Sequence, residues 1–179
     1  MTDEIIDIVD SNNNVIGKEW KSIAHKKGLP HRATHIWIYN SRGEILIQKR
    51  AKEKTFFADL WDFSAAGHIP SGETPEEASI REINEELGIE ICLDDLKFIE
   101  IRNHKFKRGN EENIEFNYIY LVKWEGDFSD VKIQKLEIQE AKLVNANELR
   151  NNFLEHPDKY TPGKDYWLKM IDLVLESLK

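Results

Sequence analysis

Apolar and polar residues alternate along several short stretches of the chain, and a period of two residues is typical of a β-strand. The clearest pair covers residues 34–39 and 44–49, which are separated by the turn-forming sequence NSRG. This arrangement predicts a β-hairpin. Residues 4–9 and 15–16, joined by DSNNN, predict a second, shorter hairpin. Further strands are predicted at residues 96–103, 114–124 and 141–144, with a polar loop at residues 107–113.

Other stretches repeat their apolar residues at the spacing of an α-helix. Residues 164–178 place four large apolar side chains on one side of such a helix, and Asn145 suits the start of another helix at residues 146–153. Strands on both sides of a central helix, followed by two terminal helices, predict an α/β fold in which a mixed sheet lies between layers of helices.

The central helix has well-defined ends. Thr74, followed three residues later by Glu77, forms the pattern of a capping box, and Pro75 suits the first helical position because its missing N–H is not needed there. Gly88 suits the left-handed residue just past a helix end. The helix is therefore predicted at residues 75–87. The side chains expected to face the core are Ile80, Ile83 and Leu87.

Acidic side chains cluster on this same helix. Glu82, Glu85 and Glu86 are three and four residues apart, so their side chains are predicted to share one face. A solvated acidic face is the simpler interpretation of the helix taken alone. Divalent cations would neutralise the cluster, and Mg²⁺ is commonly shared between carboxylates and a substrate phosphate. Arg81 is the internal counter-charge, with Glu73 in the preceding loop as its expected partner.

The spacing around the cluster is more specific than the cluster itself. From Gly67 the chain reads GHIPSGETPEEASIREINEELGI. This segment resembles the Nudix box at every fixed position. The resemblance implies the Nudix fold over a single domain, residues 1–179 with a short N-terminal extension. It also implies a hydrolase that uses Mg²⁺ or Mn²⁺ to cleave diphosphate linkages in nucleoside diphosphate derivatives and related compounds.

The resemblance also implies a role for each residue of the box. The residues expected to bind metal or to act as the catalytic base are Glu82, Glu85 and Glu86. Gly67 would supply a backbone carbonyl to the metal. Glu73 and Arg81 would brace the loop that precedes the helix.

Three histidines indicate one branch of the family. Residues 5–73 resemble isopentenyl diphosphate isomerase, a Nudix-fold enzyme that holds a metal with three histidines and two glutamates. His25, His31 and His68 match those histidines in order, and Glu115 matches one of the glutamates. The resemblance therefore implies a second site, for a transition metal, and a vestigial or structural site is the alternative.

Two residues of the isomerase are replaced in this chain. Isomerisation needs one group that donates a proton and another that removes one, and the isomerase uses a cysteine and a glutamate. Ala66 and Asn117 stand at those positions, and neither side chain does acid–base chemistry. With the box intact, hydrolysis of a diphosphate is the predicted reaction. Isomerase-like activity through water and a non-catalytic sensor of a diphosphate ligand are the alternatives.

Residues outside the box are further candidates for the site. Arg50 is a candidate for binding the terminal phosphate, because a guanidinium matches phosphate oxygens, and an exposed surface arginine is the alternative. Glu137 or Glu140 is a candidate base in place of a box glutamate. Several aromatic residues suit a nucleobase, an isoprenoid chain or the core: Trp37, Phe56, Phe57, Trp61 and Phe63. The substrate class thus stays open between nucleoside diphosphate derivatives and prenyl-type diphosphates.

Charge and composition restrict the partners. The net charge is −8, which argues against nucleic acid and anionic membranes and favours a small-molecule diphosphate that is bound through metal. No apolar run reaches the length of a membrane span and the N-terminus is acidic, so a cytoplasmic protein is expected. Cys92 is the single cysteine, which excludes an internal disulfide. A homodimer is the default expectation for any oligomer.

Overall fold

Nine strands and four α-helices are found in the described part of the chain, residues 3–108 and 111–179 of a computed structural model. The strands are β1 (Ile5–Val9), β2 (Val15–Trp20), β3 (His31–Tyr39), β4 (Glu44–Arg50), β5 (Trp61–Asp62), β6 (Ala65–His68), β7 (Leu96–Arg108), β8 (Glu111–Lys123) and β9 (Ile138–Asn145). The helices are α1 (Lys21–Lys27), α2 (Pro75–Leu87), α3 (Ala146–Glu155) and α4 (Lys164–Ser177). Short 3-10 turns lie at Leu93–Asp95, Phe128–Asp130 and Pro157–Lys159.

Strand β3 is the centre of one mixed sheet. It pairs antiparallel with β1, β4 and β6, and parallel with β8, where His31 lies opposite Glu115. The sheet continues through β2 on β1, β5 and β9 on β4, and β7 on β8. The two predicted hairpins, β1–β2 and β3–β4, are both present.

Alternate residues of β3 face opposite layers of helices. Ile36 and Ile38 are fully buried in a cluster with Ile83 of α2. Trp37, between them, packs in a second cluster with Trp167 of α4. The predicted α/β fold, with a mixed sheet between helices, is therefore confirmed. Among the described residues, no helix has both the length and the apolar character needed to cross a membrane.

The hairpin of β7 and β8 is longer than predicted. The predicted loop at residues 107–113 was wrong for its described part, because Lys107 pairs with Glu112 and Phe106 pairs with Asn113 within the ladder. Polar side chains fit a strand here because an antiparallel sheet can expose one face to water. Residues 109–110 of the predicted loop lie outside the described residues.

Helix α1 and strands β5 and β6 were not predicted. Each is short: α1 has seven residues, β6 has four and β5 has two, so none offers a full period of apolar residues. Helix α1 ends at Gly28, whose φ of 63° is the left-handed conformation that a glycine adopts without strain. These three elements carry residues of the candidate site described next.

Candidate functional site

Helix α2 presents its three carboxylates in different environments. The helix has the predicted bounds and the predicted capping box between Thr74 and Glu77. All three acidic side chains line the same cavity, but their burial differs: Glu86 has 5% of its surface exposed, whereas the side chain of Glu85 is 51% exposed. Ile80, which was expected in the core, is only half-buried. The buried side of this helix therefore includes Glu86, which contacts Ala66 of β6, and is not the simple apolar stripe that the sequence suggested.

Glu86 is held inside by polar groups of two strands. Its Oε2 accepts hydrogen bonds from the backbone N–H of Ala66, at 3.2 Å, and from the side chain of Gln48, at 3.4 Å. Burial, and then the neighbouring charge of Glu82, raise the pKa of Glu86. Burial also raises the pKa of Glu82 to about 7, although the charge of Arg81 opposes this shift. Carboxyl groups whose pKa values are raised by burial and by a neighbouring carboxylate mark a candidate functional site, and their oxygens suit a divalent cation.

Gly67 lies on β6 directly beside Glu82. It pairs with Thr34 of β3, so its backbone is fixed in the sheet. A Cβ atom at this position would lie 2.0 Å from Glu82 Cδ, which is far closer than any real contact. The absence of a side chain at Gly67 therefore gives Glu82 its room against the strand.

Arg81 connects the helix to the preceding loop, as the sequence suggested. Its Nε and Nη2 donate to the two oxygens of Glu73 at 3.1 and 3.0 Å. Its Nη1 donates to Glu82 at 2.7 Å and to Glu85 at 3.2 Å. A further hydrogen bond joins Nη2 to the backbone carbonyl of His68 at 3.3 Å. One guanidinium thus holds Glu82 and Glu85 of the helix, and Glu73 and His68 at the two ends of the loop.

The three predicted histidines meet in space. One nitrogen of each of His25, His31 and His68 lies within 4.8 Å of the others. Burial, and then the neighbouring His31, lower the pKa of His25 to about 4, and burial lowers the pKa of His68 well below its ordinary value. The imidazoles of His25 and His68 are therefore neutral near pH 7, which is the form that binds a metal.

His31 has the hydrogen bonding of a metal ligand. Its Nδ1 donates to the carbonyl of Leu29 at 2.8 Å, so the lone pair is on Nε2. That Nε2 is buried and has no hydrogen-bond partner among the described residues. Glu115 Oε1 lies 3.9 Å from it and accepts a hydrogen bond from Asn113. A fixed tautomer with a buried, unpaired nitrogen fits a metal-facing histidine.

One cavity of about 680 Å³ joins these groups. Its wall contains the three box glutamates, and also His25, His68 and Glu115. Arg50 lines it too, and donates from Nη1 to the buried Asp62 at 2.9 Å. The Arg50 side chain is 18% exposed, so the alternative of a solvent-exposed arginine does not describe it.

Sequence reasoning missed several polar residues of this cavity. Lys54 is half-buried and forms an ion pair with Glu137, and burial lowers the pKa of Lys54. Lys21 pairs with Glu4 at 2.5 Å. Lys21 and Lys54 lie among other polar residues in the sequence, so no sequence pattern indicated that they belong to the site. Also missed were two cavity residues on the sheet, His35 and Arg102.

The two candidate bases outside the box are placed differently. Glu137 lines the cavity and is 8% exposed. Glu140 is exposed on β9, opposite Lys49, and is not among the residues that line the cavity. Of these two carboxylates, therefore, Glu137 is the one in position to meet a bound molecule.

The aromatic residues divide between core and cavity. Trp37 and Phe63 are buried in the core, at 0% and 5% exposure. Phe56 and Phe57 instead line the cavity, where their rings lie 5.0 and 5.1 Å from the ring of Phe106 on β7. The cavity therefore has both a charged region and an aromatic wall.

Comparison with known proteins establishes the family. The NUDIX domain family model matches residues 29–169. Isopentenyl-diphosphate Delta-isomerase 2 of Photorhabdus laumondii is 35% identical over 170 residues, which are 94% of this chain and 90% of the relative. An uncharacterized Nudix hydrolase of Listeria monocytogenes is 36% identical over 146 residues, 80% of each chain. The chain belongs to the Nudix family, in its isopentenyl-diphosphate-isomerase-like branch, and is a Nudix pyrophosphohydrolase.

Solved structures agree on the fold. A protein of Deinococcus radiodurans superposes with a TM-score of 0.69 at 22% identity, over 98% of this chain and 100% of its own. The MutT protein of Methanosarcina mazei Go1 superposes with a TM-score of 0.61 at 20% identity, over 84% of this chain and 96% of its own. At these identities the likeness establishes the Nudix fold.

Proposed function

We propose that this protein is a metal-dependent hydrolase that cleaves the diphosphate linkage of a nucleoside diphosphate derivative or a prenyl-type diphosphate. The observation that carries the proposal is the intact glutamate set beside a cationic cavity. Burial raises the pKa values of Glu86, which is buried, and of Glu82, which is partly buried, and Arg50 and Lys54 line the same cavity. A diphosphate bound through metal would bring cations to the glutamates and anionic oxygens to Arg50 and Lys54.

The residues fit Mg²⁺ or Mn²⁺ at the box. Glu82, Glu85 and Glu86 would hold the ion, with the backbone carbonyl of Gly67, because carboxylate and carbonyl oxygens are the ligands that hard cations prefer. When bound, the metal supplies polarisation of the phosphoryl group and a more acidic water. Arg81 keeps Glu82 and Glu85 in place before the ion arrives.

Cationic side chains bind the phosphate oxygens. Arg50 is oriented by Asp62, so its guanidinium is fixed before substrate enters. Lys54 lines the cavity with the glutamates; burial and the charge of Arg50 lower its pKa, and the charges of Glu86 and Glu82 oppose that shift. The base that takes the proton of the attacking water is a box glutamate or Glu137, which lies in the same cavity.

The histidine set is a second metal site in this proposal. His25, His31 and His68 would supply nitrogen ligands and Glu115 an oxygen ligand, which suits Mn²⁺ or Zn²⁺. The unpaired Nε2 of His31 supports the assignment. The site forms part of the cavity through His25, His68 and Glu115, so an ion there adds positive charge near the substrate.

Substitution of the box glutamates tests the hydrolase. Glu85→Gln and Glu86→Gln are compared with wild type for phosphate release from nucleotide sugars, dinucleoside polyphosphates and prenyl diphosphates, with Mg²⁺ or Mn²⁺. Each variant is expected to lose at least about a hundredfold in kcat, as for removal of a catalytic group. Glu155→Gln, an exposed residue at the end of α3, is the control and retains activity. Unchanged turnover in Glu86→Gln contradicts the proposal.

Isomerisation is the second candidate, because a relative at 35% identity carries that name. Ala66 and Asn117 offer no proton donor or acceptor at the two expected positions. The same panel separates the reactions: rearrangement of isopentenyl diphosphate without phosphate release identifies an isomerase. Tight binding of a diphosphate without turnover under any metal identifies a sensor.

A further inference from the structure

Asn117 on β8 is a buried amide without a partner. The residue has 0% of its surface exposed and lies in the wall of the cavity. Neither Oδ1 nor Nδ2 of its side chain forms a hydrogen bond with any described residue. An unpaired buried amide costs stability, and an apolar side chain of the same size would avoid that cost. The fold therefore gains nothing from the amide of Asn117, whose donor and acceptor are available to a bound molecule.

Arg102 on β7 lies directly across from Asn117 in the β7–β8 ladder. Its guanidinium lies 4.6 Å from the centre of the Tyr166 ring, and it lines the cavity. It forms no ion pair with any of the carboxylates that the structure describes. In a chain of net charge −8, this arginine keeps its donors available to a ligand.

His35 on β3 offers a third donor. Trp37 Nε1 donates to the hydroxyl of Tyr166 at 2.9 Å, and this hydroxyl lies 3.2 Å from Nδ1 of His35. Trp37 can only donate to this hydroxyl, and among the described residues His35 Nδ1 is the acceptor within reach of the Tyr166 proton, so Tyr166 donates to His35. The remaining proton of the neutral His35 ring is then on Nε2, a donor on a residue that lines the cavity.

We propose that Asn117, Arg102 and His35 form a donor subsite that binds hydrogen-bond acceptor oxygens in the part of the substrate beyond the cleaved diphosphate. The subsite selects a polar group over a hydrocarbon chain. Two of the residues are paired across adjacent strands, and Tyr166 contacts both Arg102 and His35. The inference rests on the proposed function, and it separates the two substrate classes that the function leaves open.

Two substrate groups share this acceptor chemistry. The carbonyl oxygens of a nucleobase are acceptors, and the aromatic wall of Phe56 and Phe106 in the same cavity suits a planar ring. The oxygens of an additional phosphate are acceptors too. A prenyl chain has neither, and its entry would leave all three donors unpaired, which is how a polar site rejects an apolar analogue.

Calorimetric titration in the presence of Mn²⁺ tests the subsite directly. The ligands are methylene-bridged analogues of a nucleotide sugar, of a nucleoside triphosphate and of geranyl diphosphate. Wild type is expected to bind an acceptor-bearing ligand at least about tenfold more tightly than the geranyl ligand. Asn117→Leu and Arg102→Met are each expected to weaken that ligand by about 10- to 100-fold and to leave the geranyl ligand unchanged.

The pattern across ligands identifies the acceptor. An effect of Asn117→Leu on both nucleotides indicates the base, and an effect on the triphosphate alone indicates the added phosphate. Tighter binding of the geranyl ligand by wild type overturns the proposal. So does an equal loss for all three ligands, or loss of bound transition metal in Asn117→Leu without loss of nucleotide affinity. The control is Arg150→Met, which removes an arginine that pairs with Asp172 away from the cavity.

Thermal unfolding supplies a second readout. Asn117→Leu is expected to raise Tm by about 2–6 °C while it weakens binding, because it removes an unpaired buried amide. A lower Tm with unchanged binding shows a structural residue and overturns the proposal. A separate result would refute the proposed hydrolase without refuting the subsite. In that case the wild type hydrolyses no diphosphate, but its affinity for the nucleotide ligands still depends on Asn117.

Discussion

The carboxylate of Glu82 occupies the space in which a β-carbon of residue 67 would stand, since an atom built there lies 2.0 Å from Glu82 Cδ and Oε1. Arg81 holds the same carboxylate from the other direction, at 2.7 Å. Glu82 is therefore positioned by a missing side chain on one strand and by a neighbour on its own helix. The glycine of the box has a steric role in addition to any bond that its carbonyl makes.

Gly67→Ala is expected to displace Glu82 and to lower kcat/KM by about 10- to 100-fold, the range seen when a supporting group of a metal site is lost. Metal titration of activity should shift to higher Mg²⁺ concentration. Gly17→Ala is the matched control, because a Cβ at Gly17 meets nothing within 4 Å. Equal activity of the two variants would contradict a positioning role for Gly67.

Arg81→Lys tests the brace between loop and helix. Lysine keeps the charge but lacks the planar fork that serves Glu73 and Glu82 together, so kcat/KM is expected to fall by about tenfold or more. High Mg²⁺ should restore part of the activity, because the metal itself then orders the carboxylates. Arg150→Lys, at a single surface pair with Asp172, should change neither activity nor Mg²⁺ dependence. A Mg²⁺-independent loss in Arg81→Lys would point to general unfolding instead.

The raised pKa values of the buried glutamates predict a pH-dependent effect of metal. Burial raises the pKa of Glu82 to about 7, above its unfolded value, so the folded apoprotein binds the proton more tightly and loses stability as pH rises towards 7. Bound Mn²⁺ reverses that loss by pairing with the carboxylate. The rise in Tm on adding Mn²⁺ should therefore be larger at pH 8 than at pH 6. Glu82→Gln should flatten this difference, and a larger rise at pH 6 in the wild type would refute the prediction.

His31→Ala tests the histidine site. Protein purified without a polyhistidine tag, incubated with Mn²⁺ or Zn²⁺ and freed of excess ion, is expected to retain metal at this site. His31→Ala removes the unpaired Nε2 and should lower transition-metal affinity by at least about tenfold, measured by elemental mass spectrometry across a chelator series. His156→Ala, at an exposed residue after α3, is the control. Equal metal content in both variants would show that the histidines hold no ion.

The box and its helix could be predicted because their signals are local. Thr74, Pro75 and Gly88 mark the ends of α2, and the structure reproduces those ends. The burial of Glu86 was not predictable in this way, because Gln48 and the backbone of Ala66 reach it from strands elsewhere in the chain. A helical period reports spacing along one element and says nothing about which polar groups pack against it.

The remaining part of the site depends on long-range pairing. His31 and Glu115 were matched through family resemblance, and their proximity follows from the parallel register of β3 with β8. Arg102 and Asn117 meet across β7 and β8, which were predicted as strands but without a register. Periodicity identifies a strand and the face of each residue, whereas the partner strand is fixed by the topology of the sheet.

The parallel pairing of β3 with β8 also determines when a working site exists. The ribosome completes the box, residues 67–89, before it makes β8, and His31 of β3 lies opposite Glu115 only after both strands are present. A growing or clipped chain can therefore carry every box residue and still lack one side of its cavity. If the protein is the proposed hydrolase, a fragment that ends before β8 has the box carboxylates but lacks Glu115 and Asn117.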